Sequence, residues 1–185
     1  MPRIAPVEPP YAEDVQAIFD RIMPPGVEPL SLFRTLARSE RVYRKFHAGG
    51  LLDRGSLSLR QRELAIDRTC ALNRCAYEWG VHIAFFADRV KLTPAEIEAL
   101  AAPAIDPADW ADDEAAILAL CDELHASSGI SQACWAALAA QFDDAQILEL
   151  IALAGFYRTV AYFANGLELA PEPFAAPLPP TGRDD

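Results

Sequence analysis

The chain is poor in positive charge, in metal-ligand spacings, in apolar leader sequence and in strand-like alternation, and each shortage excludes something. Lys and Arg number 16 against 27 Asp and Glu, for a formal net charge of −11, which argues against a nucleic-acid partner because the phosphates would be repelled. The four cysteines, Cys70, Cys75, Cys121 and Cys134, are not joined by a second Cys or His pair at ligand spacing, so no metal and no cofactor are expected. The opening residues are rich in proline and lack an apolar run, so neither a secretory nor a transit segment is read there. A cytoplasmic, reducing location with free thiols is the expectation. No stretch alternates with period 2 for long enough to require a sheet, so the fold is expected to be all-α.

What is present is enough for one core. With 185 residues, 52% apolar and 23% charged, the chain suits a single globular domain. Residues 1–10 read as an extended arm, 11–170 as one helical domain, and 171–185, with five prolines, as a tail that cannot be helical. Within the domain the punctuation is clear. Pro24-Pro25-Gly26 stops a first helix, and Ser58 to Gln61 reads as a capping box opening a helix over about Leu59 to Leu72. Asn73-Arg74 makes a corner into a helix over about Cys75 to Arg89. Thr93-Pro94 starts another, and Asp143 with Gln146 caps the longest, which Gly166 is expected to end. That last helix is apolar enough to suggest a membrane span, but Glu149 and Arg158 would each cost about 2.5 to 3.5 kcal/mol near a bilayer centre. A buried bundle helix with no membrane contact is the reading.

Charge is distributed unevenly. Arg34 to Lys91 holds twelve basic and six acidic residues, so the most informative stretch lies in the one cationic part of an acidic chain. Attraction of a small anionic substrate is one account; arginines on solvated faces or paired with acidic helices are another.

That stretch runs from Arg60 to Arg89. Cys75, Glu78 and His82 are spaced i, i+3 and i+7, which places a thiol, a carboxylate and an imidazole on one helical stripe. Phe85 and Phe86 follow one turn on, so the stripe should face protein. Glu63 shares the stripe of the preceding helix with Ile66 and Cys70, and a carboxylate there needs a partner, for which His82 is the candidate. Tyr77 and Trp79 flank Glu78 and are candidate substrate contacts. Cys70, Cys121 and Cys134 read as core, His47 and His125 as surface or packing residues, and Arg158 as a candidate lying behind the site.

The pattern Glu63, eleven residues, Cys75-Ala76-Tyr77-Glu78, three residues, His82 resembles the signature of the carboxymuconolactone decarboxylase and alkylhydroperoxidase D superfamily. It is closest to the subgroup that writes Tyr-Glu-Trp-Gly before the histidine, and the similarity extends from about Leu30 to about Gly166. The resemblance implies an alkylhydroperoxidase D-like helical bundle around a two-helix motif hairpin, and homo-oligomers, often trimers or hexamers. The family's redox members use two motif cysteines. Here the second is Glu78, which counts against disulfide-cycling peroxidase activity.

Three functions follow as expectations. The first is a cofactor-independent acid–base lyase or decarboxylase-like enzyme acting on a small carbonyl acid or lactone, with His82 as acid or base, Glu63 orienting it and Glu78 as a second proton-transfer group. The second is a thiol-dependent peroxidase using Cys75, returned from sulfenic acid by an outside thiol or by Cys70. The third is a non-catalytic binding or assembly protein on the same scaffold.

Overall fold

The computed structural model describes residues 2–51 and 53–180. Among these residues there is no strand; the chain forms helices α1 (Glu13–Ile22), α2 (Ser31–Leu36), α3 (Glu40–Ala48), α4 (Leu59–Leu72), α5 (Ala76–Phe86), α6 (Pro94–Ala101), α7 (Asp112–Ser127), α8 (Gln132–Gln141) and α9 (Asp144–Gly166), with a 3-10 turn at Pro107–Asp109. The all-α expectation is met.

Helix α4 is the axis of the bundle. It packs against α5, α6, α7 and α9, and every residue from Glu63 to Ala71 is buried. Its start is fixed locally: Ser58 accepts from the Gln61 N–H, and the Gln61 side chain returns to the Ser58 N–H, a reciprocal cap. Its depth is fixed by Arg68, whose guanidinium reaches Asp122 at 2.6 Å and the carbonyls of Leu100 and Ala102 at 2.9 and 2.7 Å. A buried guanidinium with those partners ties α4 to α7 and to the end of α6.

The corner between α4 and α5 is a Schellman turn. Arg74 takes a left-handed conformation (φ 51°), and the Cys75 N–H reaches back to the Cys70 carbonyl at 2.9 Å, the six-to-one bond of that motif. Cys75 is therefore the N-cap of α5 rather than a helical residue (φ −87°, ψ 77°). The same device ends α9. Glu168, at φ 53°, takes the left-handed position and the Leu169 N–H bonds the Ala164 carbonyl, so the helix ends at Gly166 as expected, but the left-handed cap falls two residues on. Helix α9 packs against α4, α5, α7 and α8, with eight buried side chains. A 3-10 turn over Pro107–Asp109 precedes α7, which starts at Asp112.

The two ends of the chain both dock on the bundle. Arg3 bonds the Leu167 carbonyl through its N–H and Glu168 through its guanidinium, and Val7 bonds the Arg34 carbonyl. The proline-rich tail lies along α5 as an extended strap, of which residues 171–180 are described and 181–185 lie outside the described residues. The Ala176 N–H donates to the Gly80 carbonyl at 3.0 Å, the Trp79 indole to the Pro177 carbonyl at 3.2 Å, and the Ser31 N–H to Glu172 at 2.6 Å. Tyr77 donates to the same Glu172 carboxylate, and Phe174 meets Phe85 edge-on.

Gly80 is what lets the strap lie flat. A Cβ there would come within 2.6 Å of the Ala176 carbonyl and 2.7 Å of the Ala175 side chain, whereas one at Gly155 on α9 would meet nothing within 4 Å. Gly80→Ala is therefore expected to lose about 1 to 3 kcal/mol in chemical denaturation through overpacking. Gly155→Ala should gain up to about 1 kcal/mol from helix propensity, and equal effects at the two sites would contradict the strap contact.

Candidate active site

Three charged groups meet where α4 and α5 face each other. His82 Nδ1 lies 2.6 Å from Glu63 Oε2, and Arg62 donates to the other Glu63 oxygen at 2.8 Å. On the far side of the ring His82 Nε2 lies 3.4 Å from Glu78 Oε1, one turn back along α5. Glu63 is fully enclosed and His82 is 4% exposed. Phe86 stacks on the imidazole at 5.4 Å between centroids, and Tyr157 from α9 meets it edge-on at 5.1 Å.

Burial works against the charge on His82, but the Glu63 carboxylate and then Glu78 outweigh it, so its pKa is pushed up to about 10. Burial likewise works against ionised Glu63, yet His82 and Arg62 hold it below the usual carboxylate range. The centre is therefore an imidazolium clamped between carboxylates, fixed in orientation through Nδ1.

Glu78 and His82 form part of the wall of a cavity of about 280 Å³. The rest of the wall is mostly apolar: Phe33, Phe46, Phe85, Phe86 and Phe156 among others, with Tyr157 behind the imidazole. Along α5 the lining positions are Glu78, Val81, His82, Phe85 and Phe86, the i, i+3, i+4, i+7 pattern of a single helix face, and Arg89 follows in the turn just beyond the helix.

The structure brings Glu63, Glu78 and His82 together and leaves the other candidates elsewhere. Cys75 is fully enclosed and is not among the lining residues. The spacing that put it on the stripe assumes helical dihedrals, which an N-cap does not have. Its thiol instead receives the Cys70 S–H; that contact, helped by the Glu78 backbone N–H and opposed by burial, lowers the Cys75 pKa, while burial raises that of Cys70. Tyr77 and Trp79 hold the strap and do not line the cavity. Arg158 does not line the cavity and sits against the carbonyls of Leu124 and His125 and the Tyr162 hydroxyl. His47, read as surface or packing, lines the cavity and accepts from Arg21 at 2.9 Å.

One neighbour was missed. Asp67, on α4 at i+4 from Glu63, is 1% exposed, and its Oδ1 has no hydrogen-bond partner among the described residues. Burial raises its pKa well above the ordinary value, which favours the neutral acid, while the charge on His82 opposes this. Asp67, Glu63 and His82 each offer a ligand atom within 4.8 Å of the others, the one described trio able to hold a metal ion.

In sequence, residues 39–122 match the carboxymuconolactone decarboxylase family. The chain matches no curated protein. In structure it resembles an uncharacterised peroxidase-related protein from Silicibacter sp. TM1040, with 18% identity, TM-score 0.78, and 93% of this chain and 92% of the other covered. It also resembles an uncharacterised peroxidase-related protein with an alkylhydroperoxidase AhpD core from Ralstonia eutropha JMP134, with 22% identity, TM-score 0.73, and 92% and 93% covered. At these identities the likeness fixes the fold: an alkylhydroperoxidase D-like helical bundle.

Asp67 sets a pH test. Its folded pKa is raised, so above about pH 4 the unfolded chain can release a proton that the folded chain must retain, and folding is penalised progressively as pH rises. Asp67→Asn removes that penalty. Its stability relative to the parent should increase with pH from about 4 upward, by at most about 1.4 kcal/mol per pH unit, when denaturant midpoints are compared across pH. A difference independent of pH would mean that Asp67 is ionised and paired.

Proposed function

We propose, from the premise that this chain belongs to the carboxymuconolactone decarboxylase and alkylhydroperoxidase D-like superfamily, that it is a cofactor-independent acid–base enzyme of the lyase or decarboxylase-like class acting on a small carbonyl acid or lactone. The observation that carries the reading is which groups reach the cavity: Glu78 and His82 do, and Cys75 does not. The roles divide by charge. His82, protonated at neutral pH, is the general acid and stabilises negative charge developing on a carbonyl oxygen. Glu78, which lines the cavity and whose contact with His82 is long at 3.4 Å, takes the proton from carbon. Glu63 is a positioning residue that holds the ring and keeps it charged. The predominantly apolar wall strengthens both interactions by excluding water.

A second reading, a thiol peroxidase, is favoured by one observation: the Cys70 and Cys75 thiols are in contact and Cys75 is the more acidic. A hydroperoxide would oxidise the Cys75 thiolate to the sulfenic acid with release of the alcohol, and Cys70 would condense with it to a disulfide, releasing water. The names of the structural neighbours, both peroxidase-related, agree with that chemistry. Complete enclosure of both sulfurs argues against it.

The experiment is a turnover screen over small lactones and keto acids, with variants compared across pH. His82→Ala should lose about 10²- to 10⁴-fold in kcat/KM, and Cys75→Ser should stay within about twofold. The alkaline limb should fall near the raised His82 pKa of about 10. In Glu63→Gln it should move down toward the ordinary histidine range, since the carboxylate that raises it is gone. Unchanged turnover in His82→Ala would end the acid–base reading, and loss confined to Cys75→Ser under hydroperoxide would establish the thiol one.

A further inference from the structure

The cavity is apolar almost throughout, yet its rim carries unneutralised positive charge. Arg89 both lines the cavity and is exposed to solvent, which places it at an opening. Its guanidinium lies over the Phe86 ring at 5.1 Å and makes no ion pair among the described residues. Arg21 likewise has no carboxylate partner there; it bonds His47, another lining residue, at 2.9 Å. What sets Arg21 and Arg89 apart is place: in a chain with a net charge of −11, two guanidinium groups with no carboxylate partner among the described residues stand beside one apolar cavity, where they favour an anion.

We infer that the cavity takes an amphipathic monocarboxylate, its apolar body against Phe33, Phe46 and Phe156 and its carboxylate at the rim by Arg89 and the Arg21–His47 pair. This deepens the acid–base reading, on which it rests, by naming the substrate class of the same site. The polarity of the ligand is dictated from both ends. Glu78 at the cavity wall repels a carboxylate and opposes what the His82 imidazolium offers it, and the phenylalanines offer it no donor, so the charged head is favoured at the rim, where two guanidinium groups stand. A dicarboxylate would have to place its second charge beside Glu78 among the aromatic rings. The volume, about 280 Å³, lies near the lower end of ligand pockets, which suits a short alkyl chain or one aromatic ring. Phe86 connects the two ends of the site, stacking on His82 while Arg89 covers its ring. With the carboxylate held at the rim, the end of the molecule presented to His82 and Glu78 is the far one. The carboxylate is thus a handle that is retained, and proton transfer occurs at a carbonyl or lactone carbon away from it.

The test uses the full-length protein and three probes of equal chain length: octanoate, octanol and the dicarboxylate suberate. Binding is measured by calorimetry at neutral pH and located by histidine-selective NMR. The chain has three histidines, of which His47 and His82 line the cavity and His125 does not, so the third is an internal control. Octanoate should bind about fivefold tighter than octanol, the scale of a solvent-accessible ion pair, and suberate should bind more weakly than either. The signals of His47 and His82 should shift while His125 stays still. In Arg89→Ala the octanoate preference should collapse toward unity with octanol binding unchanged, and Arg89→Lys should restore part of it. Arg89 is exposed, so neither variant threatens the fold. Equal affinity for octanoate and octanol in the parent protein, tighter binding of suberate, or shifts at His125 alone would overturn the inference. Because binding rather than turnover is read, failure of the acid–base mechanism would show separately, as turnover insensitive to His82→Ala.

Discussion

The structure is organised by the need to bury Glu63. A fully enclosed carboxylate on the helix that forms the axis of the bundle is tolerable only if an opposite charge meets it with good geometry, and His82 does so at 2.6 Å. Removing one partner of such a pair typically costs about 3 to 5 kcal/mol, because the other is left charged and dry. The α4–α5 corner therefore has little freedom. Its tight Schellman turn sets α5 back along α4 so that position 82 faces position 63, nineteen residues away in sequence. Arg68 and its partners then hold α4 at a fixed depth.

Helix α5 serves two surfaces. One face, from Glu78 through Phe86, lines the cavity, and the residues between, Tyr77, Trp79 and Gly80, receive the C-terminal strap. The strap does more than cover an edge. It gives partners to the Tyr77 hydroxyl and the Trp79 indole on the outer side of α5. Glu172 additionally caps the start of α2 through the Ser31 N–H. Since Leu30 and Phe33 at the α2 end line the cavity, the strap braces its wall from behind.

Much of this could be read from the sequence, because it depends on local signals. The Ser58 and Asp143 caps placed the starts of α4 and α9 within a residue, and the Glu63, Glu78 and His82 spacing brought the right three groups together. What escaped has a common cause: it depends on long-range packing or on dihedrals that spacing assumes. Cys75 leaves the stripe because an N-cap residue is not helical. Tyr77 and Trp79 sit beside Glu78 in sequence but one residue to either side of it is a different helix face, and only the strap reveals what they touch. His47, Phe33, Phe46 and Phe156 come from distant helices, and no periodicity within α4 or α5 points to them. Asp67 was the recoverable miss, since it lies at i+4 from Glu63 on the stripe already recognised.

The replacement at position 78 changes what kind of proton chemistry this scaffold can support. A thiol there would sit beside an imidazolium that favours its thiolate; a carboxylate there makes His82 the only cation between two anions and raises its pKa from both sides. An imidazole so held is a poor base at neutral pH, and its usefulness lies in donating a proton or neutralising an oxyanion. The base must then be a group that the histidine does not fully satisfy. In the proposed mechanism that group is Glu78, because it lines the cavity and its contact with His82 is long at 3.4 Å, whereas Glu63 is saturated by His82 and Arg62 at 2.6 and 2.8 Å. Two carboxylates on one histidine thus differ in role because they differ in how completely their lone pairs are occupied, and the less occupied one is the one that reaches the cavity.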